Sequence, residues 1–191
     1  MRITTGIYKG RNLGMPKVIR PTQGKARKAI FDILGDIEGL SFLELFAGSG
    51  AVGFEALSRG AKVSVLVEQD PECNSVIKKN IEMLKAFSSC VLYPIDSLRA
   101  IKSLHQSRKS FDIIFLDPPY YQDLVKKTLQ TLEAYDILSP NGLVVAQHSK
   151  KESLPEAPGV LSLLRQYKYG STVLSLLKRK DVPGSDIPRN I

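Results

Sequence analysis

The sequence predicts an α/β fold: a doubly wound, mostly parallel seven-stranded sheet with a small N-terminal β-hairpin appendage. From Ser41 onward, short apolar runs alternate with stretches whose apolar residues recur at helical spacing, as when strands and helices take turns along a chain. The runs are continuously apolar, as expected of parallel strands covered by helices on both faces. A third observation picks out one edge of the sheet. Successive runs lead into the acids Glu68, Asp96 and Asp117, and ligands of such sheets bind beyond the carboxyl ends of the strands.

Residues 1–20 are expected to form the appendage, 21–180 the main domain, and 181–191 a polar, proline-containing tail that frays. Alternation in Arg2–Lys9 and the turn signal Lys9-Gly10 give two short strands over residues 1–15. Thr22, after Arg20-Pro21, is placed as the N-cap of a helix reaching Leu34. Its inner stripe is Ala26, Ala29, Ile30, Ile33, Leu34 and Ile37, which turns Lys25, Arg27 and Lys28 outward; Gly35 or Gly39 ends it.

Phe42–Phe46 is the first buried strand, Ala47-Gly48-Ser49-Gly50 a turn, and a helix starts near Ala51. Lys62–Val67 is the second strand, and Pro71 opens a helix to about Phe87. Cys90–Tyr93 is a short third strand before a helix over Ser97–His105. Phe111–Leu116 is the fourth strand, Tyr121–Tyr135 a helix, Asn141-Gly142 a turn, and Leu143–Ala146 the fifth strand. Val160–Tyr169 and Thr172–Leu177 close the sheet as an antiparallel pair turning at Gly170-Ser171.

Composition narrows the classes of function. No apolar run approaches the roughly 20 residues needed to cross a bilayer, and the opening residues lack a signal-peptide core, so a cytoplasmic protein is expected. Cys73 and Cys90 belong to no CxxC or Cys/His cluster, and there are only two histidines. Reduced, buried thiols and no metal site follow as expectations. Net charge is +8, and residues 1–31 hold eight basic side chains with no acid: Arg2, Lys9, Arg11, Lys17, Arg20, Lys25, Arg27 and Lys28. The remainder balances at 19 basic against 19 acidic residues. A basic module joined to a neutral core points to a polyanionic partner, nucleic acid first. A solvated basic arm is the alternative.

A strand running through a glycine turn into a helix N-terminus lets the backbone approach a ligand closely, with the first-turn N–H groups and the positive end of the helix dipole facing it. Gly48-x-Gly50-x-x-Gly53 matches the dinucleotide pattern GxGxxG, with Glu68 as its acid. Two features argue against a pyrophosphate there. Glu44 puts a carboxylate four residues before Gly48, and Asp117-Pro118-Pro119-Tyr120 has no use in a dehydrogenase. S-adenosylmethionine (SAM), cationic at its amine and its sulfonium, fits both.

Leu43-Glu44-Leu45-Phe46-Ala47-Gly48-Ser49-Gly50 resembles the first motif of class I SAM-dependent, Rossmann-like methyltransferases, and Asp117–Tyr120 their (N/D)PP(Y/F) motif for exocyclic amines. More narrowly, the chain resembles the bacterial 16S ribosomal RNA guanine-N2 methyltransferases. The segments carrying that likeness are Arg2–Arg11, Arg20-Pro21-Thr22, Arg27–Phe31, Phe46–Gly50 and Asp117–Tyr120, in that order. Glu44 departs from a common Asp, Lys28 from a frequent acid, and Gln147 from an acid that often follows the fifth strand.

The resemblance implies roles. Gly48, Ser49 and Gly50 pass beneath the methionine moiety, Phe46 and Ala47 belong to the same cofactor-binding set, and Glu44 is near the ammonium group of that moiety. Glu68 takes the ribose hydroxyls, Asp96 the adenine amine, and Gln69 and Ser97 flank the ring. Arg2, Lys9, Arg11, Arg20, Thr22 and Arg27 belong to the RNA-binding side. Catalysis falls to Asp117, Pro118, Pro119 and Tyr120. Asp117 and the Pro118 carbonyl accept the two amine hydrogens and turn the nitrogen lone pair toward the methyl, while Tyr120 stacks on a base taken out of its stack. The implied partner is ribosomal RNA within a small-subunit particle, and the protein is expected to act as a monomer. Two other functions compete: a DNA adenine-N6 or cytosine-N4 methylase, and a catalytically silent nucleic-acid-binding protein on the same fold.

Overall fold

The computed structural model describes residues 1–17, 24–152, 154 and 159–180. Arg20, the Thr22 cap and the 181–191 tail lie outside them. Twelve elements follow one another: α1 (Gly24–Leu34), β1 (Ser41–Leu45), α2 (Ala51–Ser58), β2 (Val63–Val67), α3 (Pro71–Leu84), β3 (Cys90–Tyr93), α4 (Ser97–Gln106), β4 (Phe111–Leu116), α5 (Leu124–Ala134), β5 (Leu138–Ser149), β6 (Leu161–Tyr169) and β7 (Thr172–Arg179). The strands form one seven-stranded sheet in the order β3-β2-β1-β4-β5-β7-β6. The first five run parallel, and β7 and β6 close it antiparallel. This is the doubly wound sheet that the alternating pattern predicts.

Each strand feeds two cores because successive side chains point to opposite faces. Leu43 and Leu45 join Ile114, Leu116, Val144 and Ala146 under α4 and α5. Phe42 joins Ile113, Phe115, Val145 and Leu174 under α1 and α2. A third cluster packs Phe54 and Leu57 of α2 with Leu66 and with Ile77, Ile81 and Leu84 of α3. Among the described residues, no helix is long and apolar enough to cross a membrane. Cys73 and Cys90 are free and buried, and burial pushes both thiols up to about 12, far from reactive thiolate.

Three expectations change. The helix after Asp117-Pro118-Pro119-Tyr120 begins at Leu124, not Tyr121, because Tyr121 (φ 63°) and Asp123 (φ 55°) are left-handed and cannot sit inside an α-helix. The fifth strand starts at Leu138. Its register with β4 jumps from Phe111↔Leu138 to Ile113↔Leu143, so Asn141-Gly142 lies in a bulge within β5.

The N-terminal strand pair shrinks to a single antiparallel bridge, Arg2↔Asn12, flanked by bonds such as Ile3 N–H to Arg11 O (3.0 Å) and Gly10 N–H to Ile3 O (3.0 Å). The reason is where the other backbone donors go. Thr4 N–H bonds a Glu55 carboxylate oxygen (3.0 Å), Ile7 N–H the Ser58 carbonyl (2.8 Å) and Tyr8 N–H the Ser58 hydroxyl (2.9 Å). Docking on α2 replaces a second strand, and Ile3 and Leu13 are buried with α2 and α3.

Candidate active site

The glycine turn between β1 and α2 is built from left-handed residues: Phe46 (φ 60°), Gly48 (φ 57°) and Gly50 (φ 73°). Glu68, at the end of β2, holds it in place. One Glu68 oxygen accepts the Gly48 N–H (2.7 Å), and the other accepts those of Gln69 (2.8 Å) and Asp70 (2.8 Å). The carboxylate is thus fixed at the lip of the loop as an acceptor. Phe46 N–H donates to the Ser97 hydroxyl (3.2 Å), which ties the start of α4 to the end of β1. Asp96 caps α4 through the Arg99 N–H (2.9 Å). The expected cofactor residues therefore do converge on one edge of the sheet.

Glu44 lies below that edge, 3% exposed. Its Oε2 accepts the Gly53 N–H at 2.8 Å, so one first-turn donor of α2 expected to face a ligand is occupied from beneath. Gly53 leaves room for this: a Cβ there would stand 2.9 Å from Oε2 and 2.3 Å from a Leu66 methyl. Burial raises the Glu44 carboxyl to about 8, with Asp117 and Glu68 adding repulsion and the Gly53 and Val52 N–H groups opposing. The folded protein then holds a proton that the unfolded chain has released above its ordinary value of 4.5. Stability should fall as pH rises from about 4.5 toward about 8. Urea midpoints measured across that window should show the decline in the wild type and its loss in Glu44→Gln; parallel curves would exclude a protonated Glu44.

Asp117 follows β4, whose register with β1 sets Leu116 beside Leu45, so Asp117 is level with Phe46 at the start of the glycine turn. Two prolines restrict the chain beyond it. Tyr120 is then anchored: its hydroxyl meets the Thr172 hydroxyl at 3.2 Å, and burial raises its pKa. Its ring lies edge-on to Tyr121, with centroids 6.2 Å apart at 85°. Tyr121 is 68% exposed, with its hydroxyl reached by Ser149 (3.3 Å). His148 is structural, buried and held by the Ser175 hydroxyl (2.8 Å).

The basic N-terminal residues separate into two groups. Arg2, Lys9 and Arg11 are exposed. Arg27, expected to face outward toward RNA, is instead 2% exposed. It donates to the Arg2 carbonyl (2.6 Å), reaches the Met1 sulfur, and pairs with Glu55 (3.6 Å), which is fully buried. Burial lowers its pKa, and Glu55 opposes that shift. Arg27 fastens residues 1–17 to the domain; it is not a phosphate contact.

Sequence reasoning missed this strut, although both signals are present: a lone acid in the wholly apolar helix AVGFEALS, and an arginine in the stripe of Ile30 and Leu34. It also missed Asn80, whose amide spans the Gly14 N–H (2.8 Å), the Gly14 carbonyl (3.3 Å) and the Ser49 carbonyl (3.4 Å) of the glycine turn.

Comparison with known proteins bears on this geometry. The family described as conserved hypothetical protein 95 matches residues 1–178. The ribosomal RNA small subunit methyltransferase D of Escherichia coli K12 is 33% identical over 189 residues, 97% of this chain and 93% of its own. Its namesake in Buchnera aphidicola subsp. Acyrthosiphon pisum is 36% identical over 159 residues, 80% of each chain. A solved structure of a hypothetical protein from Thermus thermophilus superposes with a TM-score of 0.79 at 33% identity, covering 92% of this chain and 98% of its own. A glycine turn fixed by a strand-end acid, with Asp-Pro-Pro-Tyr level with it, is thus set in a chain that belongs to the conserved hypothetical protein 95 family, alongside the ribosomal RNA small subunit methyltransferases D.

Proposed function

We propose that this protein transfers the methyl group of SAM to the exocyclic N2 amine of a guanine in 16S ribosomal RNA. The observation that carries it is the placement of Asp117-Pro118-Pro119-Tyr120 beside the glycine turn, on one edge of the sheet, in a chain of this family. The names of the Escherichia coli and Buchnera relatives support a small-subunit ribosomal RNA as the substrate.

The donor set fits SAM. A cation suits an edge carrying Glu68, Asp96 and Asp117, and ribose hydroxyls suit a Glu68 carboxylate already oriented by three backbone N–H groups. In this proposal Phe46–Gly50 underlie the methionine moiety, Asp96 takes the adenine amine, and Gln69 and Ser97 flank the ring. Glu44 braces the loop from beneath. When bound, SAM supplies a methyl group already activated on sulfur and leaves as S-adenosyl-L-homocysteine.

The chain's own work is positioning. An exocyclic amine is a poor nucleophile because its lone pair is delocalised into the ring. Asp117 and the Pro118 carbonyl accept its two hydrogens, orient the lone pair and stabilise the positive charge developing on nitrogen. Pro119 stiffens the turn. Tyr120, its hydroxyl held by Thr172, presents a fixed ring to the flipped base.

Exposed Arg2, Lys9 and Arg11 hold RNA phosphates, and the substrate is a small-subunit particle engaged by a monomer. Lys9→Ala with Arg11→Ala should flatten the plot of log affinity against log salt by about 1.5 and leave the melting temperature unchanged. An unaltered slope would exclude both as phosphate contacts.

The deciding experiment supplies labelled SAM with ribosomal RNA and with small-subunit particles from cells lacking the protein, followed by digestion to nucleosides. Label in N2-methylguanosine is expected. Label on adenine or cytosine, or on DNA, would move the assignment to a DNA amine methylase. Failure to bind SAM would end the enzyme reading.

A further inference from the structure

Gln147 is a buried amide with an unanswered acceptor. The residue is 6% exposed, and its Oε1 has no hydrogen-bond partner among the described residues. Native proteins rarely bury an amide oxygen unpaired, and such exceptions call for a ligand or a role.

Its position is specific. Parallel register pairs Leu116 of β4 with Ala146 of β5, so Asp117 and Gln147 are the next residues on two neighbouring strands. Both fall on the face of Phe115 and Val145. The same face continues into β7, where Gln147 pairs with Leu174 and Ser149 with Thr172. The Gln147 amide also interacts with the Tyr120 hydroxyl, which meets Thr172. Since Oε1 is the end without a partner, the NH2 end of Gln147 is the one that meets the phenol oxygen, and the carbonyl end is left over, beside Asp117-Pro118-Pro119-Tyr120.

We propose that Gln147 Oε1 is the specificity-determining acceptor for the ring N1–H of the target guanine, an inference that rests on the guanine-N2 reading above. The chemistry is selective. In guanine, the ring nitrogen N1 next to the methylated amine carries a hydrogen. Beside the adenine N6 amine and the cytosine N4 amine, the Watson–Crick ring nitrogen is a bare lone pair. With the amine seated on Asp117 and the Pro118 carbonyl, guanine therefore answers Gln147. Adenine and cytosine set a lone pair against it and leave the buried oxygen unpaired. Sites built around a buried hydrogen bond reject analogues that cannot make it. The same Asp-Pro-Pro-Tyr geometry thus serves guanine here and excludes the other amino bases.

The test uses 2-aminopurine, which keeps the 2-amino group but has no hydrogen on N1. Small-subunit RNA is assembled with guanine or 2-aminopurine at the nucleotide that the wild type methylates, and kcat/KM is measured on each. The readout is the guanine to 2-aminopurine ratio. It is independent of the folded fraction of a variant, and the missing O6 of 2-aminopurine affects every variant alike. Gln147→Leu should lower the ratio by about 10- to 100-fold, through a loss on guanine. Gln147→Glu keeps an acceptor and should keep most of the preference. A ratio that Gln147→Leu leaves within about twofold of wild type, or that Gln147→Glu lowers as much as Gln147→Leu, overturns the inference and leaves the methyltransferase reading intact. A wild type that methylates no guanine N2 overturns both, and this shows before any variant is made.

Discussion

Asp117→Ala is expected to lose methyl transfer by about 100- to 1,000-fold in kcat while SAM binding changes only a few-fold. Asp117 is level with the start of the glycine turn and is close enough to Glu44 to raise its pKa. In the proposed mechanism a group there meets the charge that develops on the attacking nitrogen, and charge present only in the transition state registers in kcat, not in binding. Asp117→Asn keeps one acceptor and should retain intermediate activity. Labelled transfer at saturating RNA, together with calorimetric titration of SAM, separates the two effects. Equal losses in binding and turnover would make Asp117 a scaffold residue. Near-wild-type turnover would remove it from the chemistry.

The second large effect concerns stability. Arg27→Ala should destabilise the fold by about 3 kcal/mol, lowering Tm by on the order of 6–12 °C. The cost comes from what is left behind. Glu55 is fully buried and would lose one cation, keeping Arg59 at 3.3 Å and Thr4 at 2.7 Å. The Arg2 carbonyl would lose its donor. Arg27→Lys would restore charge without the planar fork and should recover only part of the loss. Thermal melts and urea titrations read this directly, with Lys9→Ala as an exposed control. If Arg27→Ala weakened RNA binding with an unchanged melt, the strut described for it would be wrong.

The fold was largely readable because its strands are continuous apolar runs and its helices are strongly periodic. Phe111–Leu116, for instance, needs no context to be recognised as a covered strand. Dihedral angles escape periodicity. Tyr121 and Asp123 look like helix residues by spacing, yet their positive φ delays α5 to Leu124. Long-range partners escape it too. An arginine at helical spacing from Ile30 and Leu34 reads as outward by charge, and only folding brings Glu55 to meet it inside. The N-terminal strand pair failed as an expectation for the same reason: its donors are taken by α2, which local alternation cannot reveal.

At the site, the acids were visible because each interrupts or ends an apolar run. Their division of labour was not. Glu68 orients the loop, Glu44 supports it from below, and Gln147 stood out only as a departure from a family pattern until its burial and its unpaired oxygen gave it a meaning.

The docking of residues 1–17 also sets an order in time. Thr4, Tyr8 and Gly14 find their partners 51, 50 and 66 positions further along the chain. Synthesis at roughly 5–20 residues per second leaves this segment waiting for several seconds, with Ile3 and Leu13 uncovered, until α2 and α3 have emerged. Residues 1–17, made before the helices they dock on, are therefore among the last to find their place, and contacts of such sequence separation slow the final approach to the native state.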